Sequence, residues 1–489
     1  MELPLLPLTL ARVPDGLRQA LQQEGVPFRS WQPGEDATRF VLYDSRCAPR
    51  PPLVAGQEAI DVDRFRQGAE SDPFLALVET QAARHRWQLG PWEVSEEIAT
   101  VNRRAVRKRL LMRLRKELER HGGVWLTIGY FPFPYRSAFN FRFDHDNYHP
   151  GDFDGTLAAI AGWEDATSHY VCASTHVEHA DALRRLAGMH VGGHGYWHHT
   201  YRSREDNEHN IRRGLEVLKS AGLQPIGFVA PHGRHNPGLQ AALDALRIEH
   251  SSEFALAYDD VPFFPPRSGV LQVPIHPICL GVVMEAALAA SRQSTRPELL
   301  GEMDYAQAVE VTLDHFHEVA RQKYEAGEPI FLYGHPDGRV GRYPEVLRET
   351  FAAVAGFSAL WKTTLAEFAR WWRKRLAIRL QLQRVGESLV ITGQMPPGNF
   401  RATLHLSRGE LVASLPWDGR ELRLQTSALA YQRRPTKVAS FQPVRVDGPQ
   451  PLKTALLRYL DWERVTPVGE IRVRDWRSLV KKTLRLIKP

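Results

Sequence analysis

The stretch AFNFRFDHD, residues 138–146, decides the fold. Its apolar residues predict a β-strand, and the strand closes on two aspartates, Asp144 and Asp146. From about residue 124, similar short apolar runs alternate with amphipathic runs of helical length. This alternation predicts an α/β fold, either a parallel sheet or a (β/α) barrel.

Polar residues follow most of the predicted strands. In chain order they are Asp144 and Asp146, then His194, Pro231 with His232 and Gly233, Ser251 to Glu253, His276, and His335 with Asp337. In (β/α) barrels the loops after the strands converge on one mouth, which holds the active site. The pattern therefore predicts that these residues form a single site.

A second stretch, GGHGYWHHTY at residues 192–201, suggests that the site binds a metal. His194 and His198 are four residues apart, a spacing that lets both imidazoles reach one ion. Asp146 would add an oxygen ligand. Two histidines and one aspartate leave open positions for water and substrate, as in a catalytic site. His199 directly follows His198 and is expected to face elsewhere.

Four motifs resemble those of a known family. FRFDHD, HGYWH, FVAPHGRHN and LYGHP, in this order and at these separations, resemble the motifs of polysaccharide deacetylases (carbohydrate esterase family 4, the NodB homology domain). The resemblance covers about residues 125–375. It implies a distorted (β/α) barrel that uses a divalent metal, commonly Zn²⁺, to hydrolyse the N-acetyl amide of a sugar, a carbon–nitrogen bond.

The resemblance also implies a role for each motif residue. Asp146, His194 and His198 would bind the metal, Asp144 would be the general base, and His335 would be the general acid. Elementary chemistry is consistent with these roles. A metal polarises a carbonyl and activates water, a nearby carboxylate can take the water proton, and a histidine can protonate the leaving amine.

The third motif departs from the family pattern. Val229 stands where an arginine usually steers the base, and we expect Arg142, two residues before Asp144, to replace it. His232 stands where an aromatic residue is usual, and His276 lies where a fourth motif is missing. The spacer His145 is expected to point into the barrel wall. Predicted substrate contacts are Tyr148, Tyr196, Pro231, His232, Gly233 and His276.

The flanking regions suggest further segments. Residues 1–65 read as a small α/β unit, with a helix in PDGLRQALQQEG and a strand in RFVLYDS, and residues 66–123 as a helical connection. The barrel is predicted over 124–375. Period-two alternation predicts a β-rich appendage over 376–447. Residues 448–489 are predicted to form a basic amphipathic helical segment.

Charge and composition limit the classes of partner that the protein can have. The formal net charge is +7, but residues 371–489 carry 23 Lys and Arg against 9 Asp and Glu. Such a basic end suits a phospholipid surface or a phosphorylated carrier, although a solvated face is also possible. The three cysteines form no pair pattern, and the N-terminus makes a poor signal peptide. We therefore expect a cytoplasmic protein, peripheral at the inner membrane face, and no nucleic-acid partner.

These observations leave three functional hypotheses. The first is a deacetylase acting on an N-acetylated polysaccharide or on a lipid-linked saccharide precursor made inside the cell. The second is a non-catalytic descendant that binds a glycan or a partner, and Val229 is the residue in its favour. The third is a related hydrolase of small non-sugar amides.

Overall fold

A computed structural model describes residues 5, 8–31, 38–69, 71–79, 81–256, 260–291, 302–433 and 443–448. These residues form a mixed α/β protein with parallel sheets. Its largest cluster of buried apolar residues includes members from Leu5 to Leu424, so the predicted segments up to residue 424 share one core. The boundaries between these segments stay predictions. The predicted C-terminal helical segment falls outside the described residues, apart from Gly448. No described helix is long and apolar enough to cross a membrane.

The N-terminal part is a four-stranded parallel sheet in the order β2-β1-β3-β4. The helix and the strand predicted there are both present, and the helix ends at Gly25, which adopts the left-handed conformation with φ 75°. The elements are β1 (Leu8–Ala11), α1 (Asp15–Glu24), β2 (Phe28–Ser30), β3 (Phe40–Tyr43), β4 (Glu58–Asp61) and α2 (Pro73–Ala76).

The helical prediction for residues 66–123 is wrong in its middle part. An antiparallel hairpin of β5 (Ala82–Leu89) and β6 (Trp92–Ala99) precedes the one long helix, α3 (Arg103–Arg120). His85 and Trp87 are buried while their neighbours face outward, which is the period-two signal of a strand. Arg, Gln and Glu fill many of the outward positions, and these residues favour helices, so composition obscured the alternation.

The first strand predicted for the barrel belongs to another sheet. Strand β7 (Trp125–Pro132) pairs antiparallel with residues 402–408 rather than with the next strand, β8 (Ser137–His145). The assignment of this strand to the barrel is therefore wrong. Apolar runs of this kind indicate a buried strand but do not identify its neighbour, because pairing is decided by packing.

The central sheet contains β8 and has the parallel order β10-β9-β8-β13, with β14 beside the start of β8. Helices alternate with its strands, as the sequence pattern predicts. The elements after β8 are α4 (Pro150–Ala159), β9 (Thr167–Val171), α5 (Ala180–Arg184), β10 (His190–Gly193), α6 (Arg204–Ser220), α7 (Pro237–Ala245), β11 (His250–Ser251), β12 (Leu271–Gln272), α8 (Val282–Ser291), α9 (Glu302–Glu325), β13 (Ile330–Gly334), α10 (Pro344–Ala355), β14 (Leu360–Lys362) and α11 (Leu365–Ala377).

The described strands do not close into the predicted barrel. Beyond β10 the sheet continues through single bridges at Phe228 to the two-residue strands β11 and β12. Prolines interrupt this part of the chain, among them Pro231 and Pro274. Because proline has no N–H to give to a ladder, strands shorten where it occurs, and the result is an open, curved sheet.

The C-terminal part is β-rich, as the period-two alternation predicted. Its strands are β15 (Arg379–Val385), β16 (Ser388–Gln394), β17 (Ala402–Arg408), β18 (Leu411–Trp417), β19 (Leu422–Gln425), β20 (Gln432–Arg433) and β21 (Arg445–Val446). They form the sheets β15-β16-β19 and β20-β18-β17-β7, while β21 pairs with β5. The C-terminal part is thus hydrogen-bonded to β7 through β17 and to β5 through β21.

A buried arginine joins three parts of the chain. Arg375 of α11 donates to Gly129 O at 2.8 Å and Ile128 O at 2.9 Å in β7, and to Gln22 O at 3.1 Å and Gln23 O at 3.0 Å at the end of α1. Burial lowers the pKa of Arg375 to about 10. One guanidinium therefore binds four backbone carbonyls, of which Gln22 O also accepts the N–H of Gly25.

Replacing Arg375 by methionine should lower the free energy of unfolding by at least about 3 kcal/mol, because each buried carbonyl left unpaired costs about 1–3 kcal/mol. Urea unfolding measures the change. Arg379→Met is the matched control, since exposed Arg379 also donates to backbone carbonyls and should cost no more than about 0.5 kcal/mol. Equal losses in the two variants would contradict this role of Arg375.

Candidate metal centre

Strand β8 delivers the acidic side chains of the site. Successive side chains of a strand point to opposite faces, so Arg142 and Asp144 share a face, and Asp146 follows directly after the strand. The rings of Phe143 and His145, on the other face, lie 5.0 and 5.2 Å from the ring of His169. Every residue of β8 is buried, so its charged groups need partners inside the protein.

Asp146, His194 and His198 come together as predicted. Asp146 Oδ1 lies 3.2 Å from His194 Nε2 and 3.1 Å from His198 Nε2, and the two nitrogens are 3.2 Å apart. No other group of three His, Cys, Asp or Glu residues converges in this way within the part of the chain that the structure describes. Ligand atoms around a tetrahedral Zn²⁺ at about 2.0–2.1 Å are about 3.3 Å apart. The spacing therefore fits three ligands of one ion.

The hydrogen bonds of this trio also fit a metal. His194 donates its Nδ1–H to Val229 O at 2.7 Å, which fixes the tautomer and leaves the Nε2 lone pair free to bind an ion. Asp146 Oδ1 is buried, yet it accepts no well-formed hydrogen bond from the described residues. An oxygen and two imidazole nitrogens are also donors that Zn²⁺ prefers.

The electrostatics of the trio favour a cation. Burial opposes the charge of Asp146, but His335, His194 and His198 together hold its pKa well below the usual value. Burial also opposes protonation of His194, but Asp146 and Asp144 outweigh it and raise the pKa of this imidazole. Two carboxylates thus place negative potential at the point where the three ligand atoms converge, which a bound cation would neutralise.

Arg142 holds the predicted base, Asp144. Its Nη2 donates to Asp144 Oδ2 at 2.7 Å, and its Nη1 donates to the carbonyl and hydroxyl oxygens of Ser252 at 2.9 and 3.0 Å. Arg142 is fully buried, and its guanidinium lies 4.9 Å from the centre of the Tyr333 ring. The other oxygen, Asp144 Oδ1, is buried and has no hydrogen-bond partner among the described residues, so it is the atom left to accept a proton.

The predicted acid, His335, lies beside the trio. Its Nε2 is 3.7 Å from Asp146 Oδ2, while Arg339 Nη1 donates to its Nδ1 at 2.9 Å. Because Nδ1 accepts this bond, the ring proton is on Nε2 and points towards the site. Burial, with the charge of Arg339, lowers the pKa of His335 to about 4. Near pH 7 this group is therefore a neutral N–H donor and not an imidazolium.

The predicted substrate residues divide into two groups. His232, in the Pro231–Gly233 turn, has its ring 4.6 Å from that of His198, so this turn lies beside the trio. Tyr148 instead packs on His179 with 4.3 Å between ring centres. Tyr196 lies under the guanidinium of Arg213, 3.8 Å from the ring centre. Both tyrosines already have a partner on the ring, so their stacking on a sugar stays a prediction.

His276 does not join the site. Its ring lies 5.6 Å from His315 and 5.8 Å from Phe316, both on α9, and burial holds its pKa well below the usual value. The backbone N–H of His276 donates to Phe331 O in β13 at 2.8 Å. The side chain therefore packs between the sheet and a helix, and its assignment to the substrate site disagrees with the structure. Its position after an apolar run was not enough to place His276 in the site, because residues 273–276, which include Pro274 and are followed by Pro277, form no regular structure.

His145 points into the wall of the sheet, as expected. Its Nε2 lies 2.9 Å from His169 Nδ1, and His169 Nε2 lies 3.2 Å from the hydroxyl of Thr167. Burial lowers the pKa of His169 to about 3 and that of His145 well below its usual value. Both imidazoles are therefore neutral in the folded protein and belong to its core.

Sequence reasoning placed Ser252 and Glu253 among the polar residues of the site but gave neither a specific role. Ser252 receives hydrogen bonds from Arg142, and Glu253 accepts the N–H of Ala230 at 3.2 Å. Arg339, four residues after His335, gave no signal beyond its spacing, since its contact depends on the irregular turn at Pro336–Val340.

No family model and no curated protein matches the sequence. Solved structures do match. A Mycobacterium smegmatis protein provisionally named a polysaccharide deacetylase is 20% identical, with 50% of this chain and 92% of that chain covered and a TM-score of 0.40. Puue allantoinase is 14% identical, with 50% and 92% covered and a TM-score of 0.40. A probable polysaccharide deacetylase from Pseudomonas aeruginosa PAO1 is 12% identical, with 49% and 91% covered and a TM-score of 0.40. Two of these three share the name of the family that the four motifs resemble.

Removing one imidazole of the trio should abolish tight metal binding. We expect the purified protein to bind one Zn²⁺ and His198→Ala to weaken binding by at least about 100-fold, because it deletes one of three protein ligands. Competition with a chromophoric chelator measures the affinity. His209→Ala, which removes an exposed histidine outside the trio, should bind like the wild type; parallel losses in both variants would argue against the assigned ligands.

The neutral state of His169 should make folding sensitive to acid. Its folded pKa of about 3 lies below the unfolded value of about 6.5, so the unfolded chain takes up the proton first and stability falls as the pH drops below about 6.5. Between pH 6.5 and 5, His169→Asn should lose about 1–2 kcal/mol less than the wild type. Urea unfolding at both pH values tests this, with the exposed His209→Asn as control. An identical pH dependence in wild type and His169→Asn would contradict it.

Proposed function

We propose that the protein is a metal-dependent amide hydrolase that removes the acetyl group from an N-acetylated sugar, in a polysaccharide or a lipid-linked saccharide precursor. One observation carries the proposal. A carboxylate and two imidazoles with metal-ligand spacing lie beside a second carboxylate, Asp144, that is outside the trio and paired with Arg142. This combination provides separate groups for binding an ion and for moving a proton.

The three ligands would hold a divalent ion, most suitably Zn²⁺, which supplies polarisation of the acetamide carbonyl and a lowered pKa of water when bound. Asp144 then acts as the base and takes the proton of the attacking water on Oδ1. Its other oxygen stays bound to Arg142, which holds the carboxylate in place.

His335 acts on the opposite side of the reacting bond. Its Nε2–H faces the trio because Arg339 occupies Nδ1, and it is placed to donate to the leaving nitrogen. Because Arg339 occupies Nδ1, this neutral imidazole stabilises the leaving nitrogen by a hydrogen bond from Nε2–H. The proton that Asp144 takes from the water is the one that the amine finally receives. The reaction then needs a net transfer of one proton from water to the amine.

The ion pair of Arg142 and Asp144 favours a working enzyme over a non-catalytic descendant. Val229 was the argument for the descendant, because it lacks the guanidinium that steers the base. Arg142 provides a guanidinium to the same carboxylate at 2.7 Å.

The two candidate substrate classes are N-acetylated sugars and small non-sugar amides, and an acetate-release assay distinguishes them. N-acetylglucosamine oligomers should be substrates, and small non-sugar amides should react more slowly if the sugar hypothesis is right. Contact with a membrane through the basic C-terminal segment, and a cytoplasmic location, stay predictions of the sequence.

Asp144→Asn should lower kcat by about 100- to 10,000-fold, because the amide cannot take the water proton. Zn²⁺ affinity should fall far less than in His198→Ala, since Asp144 contributes its charge to the site but is not part of the trio. Acetate release and chelator competition on the same preparation give both values. Asp154→Asn, which alters an exposed carboxylate, is the control. Full activity in Asp144→Asn would exclude it as the base.

A further inference from the structure

One peptide group lies between a buried carboxylate and a ligand of the proposed metal site. The carbonyl of Val229 accepts the Nδ1–H of His194 at 2.7 Å, and the N–H of Ala230, which belongs to the same peptide group, donates to Glu253 Oε1 at 3.2 Å. Glu253 is 3% exposed. A continuous chain of hydrogen bonds therefore runs from Glu253 through one peptide to His194.

Resonance couples the two ends of a peptide group, because the C–N bond has partial double-bond character. A carboxylate on the N–H side pulls the hydrogen towards itself and makes the carbonyl oxygen a stronger acceptor, as in other polarised hydrogen-bond chains. A stronger acceptor on Nδ1–H raises the electron density at Nε2 of an imidazole ligand. The effect of Glu253 is thus directed at the nitrogen that faces Asp146.

We propose that Glu253 is a positioning residue for His194, which fixes its tautomer and strengthens its bond to a divalent cation through the Val229–Ala230 peptide. This inference rests on the proposed metal site and adds to it a residue outside all four motifs. It also gives the third motif a function that does not depend on the side chain of residue 229.

The surroundings of Glu253 keep the carboxylate in this position. The hydroxyl of Ser251 donates to the same oxygen, and the Phe254–Ala255 peptide is held to the Pro231–Gly233 turn by the bond from Ala255 N to Gly233 O at 3.0 Å. Burial raises the pKa of Glu253, while the bonds from Ser251 and Ala230 and the charge of Arg142 favour its ionised form. The carboxylate is therefore fixed in place and lies near a compensating positive charge.

A charge-only substitution tests the proposal. Glu253→Gln keeps the size and an oxygen that can accept the Ala230 N–H, but it removes the negative charge. We expect Zn²⁺ affinity, measured by chelator competition, to fall about threefold to tenfold. This is less than the about 10- to 100-fold that direct partners of ligands show, since a peptide intervenes. Glu328→Gln is the control, because Glu328 is equally buried but pairs with Arg104 and Lys108 before β13; it should keep full affinity.

A second variant tests the path through the peptide. Ala230 has φ −74°, which proline also adopts, so Ala230→Pro removes the N–H without requiring a new backbone conformation. In this background Glu253→Gln should cause no further loss of Zn²⁺ affinity, because the link between the two groups is already cut. Additive losses would mean that Glu253 acts by another route and would overturn the proposal.

The outcomes separate this inference from the function on which it rests. If the wild type binds no Zn²⁺, the proposed metal site fails. If the wild type binds Zn²⁺ and Glu253→Gln binds it equally well, the metal site stands and the role of Glu253 is wrong. Circular dichroism and thermal melting of the metal-free variants verify folding. If Glu253→Gln does not fold, Ala230→Pro decides alone, and unchanged affinity in that variant overturns the proposal.

Discussion

The candidate site depends on the alternation of side chains along strand β8. Residues two apart in a strand lie about 6.6–7 Å from each other on the same face, so Arg142 and Asp144 are neighbours at the end of β8, and Asp146, directly after the strand, extends this row. The row consists of a guanidinium, the carboxylate that it holds, and a carboxylate that meets two imidazoles. A shift of one residue would exchange this face for the one with Phe143 and His145.

Because the charged side chains of this row are largely buried, each of them needs a partner inside the protein. A carboxylate or guanidinium that loses water must find charged or hydrogen-bonding partners, and the structure supplies them unevenly. Arg142 is paired with Asp144 and Ser252, whereas Asp146 faces two imidazole nitrogens without a well-formed hydrogen bond from the residues described. The first arrangement is complete within the protein. In the proposed function a cation completes the second arrangement, and this difference would separate the proposed base from the proposed ligand although both are aspartates of one motif.

The third motif illustrates how a backbone atom can orient a side chain whatever the residue type. Val229 stands where the resemblance implies an arginine, and Arg142 holds Asp144 from within the strand. The backbone carbonyl of Val229 still orients His194 at 2.7 Å, a contact that does not depend on residue type. A sequence comparison registers a missing arginine, but both geometric requirements are met by other atoms. In the same way the proposed general acid, His335, is held by Arg339, a residue with no motif of its own.

The sequence alone determined the strand–helix alternation of the central region, the convergence of Asp146, His194 and His198, and the pairing expected of Arg142, because these follow from periodicity and from short motifs. It did not determine that β7 joins the C-terminal sheet, that residues 82–99 form a hairpin, or that the sheet stays open. It also placed His276 in a site that its ring does not reach. Local patterns fix which residues form a strand and which face they share, whereas the neighbour of a strand and the path of a loop are decided by packing between distant parts of the chain. Only the tertiary structure could therefore place Glu253 and Arg339 behind the two histidines.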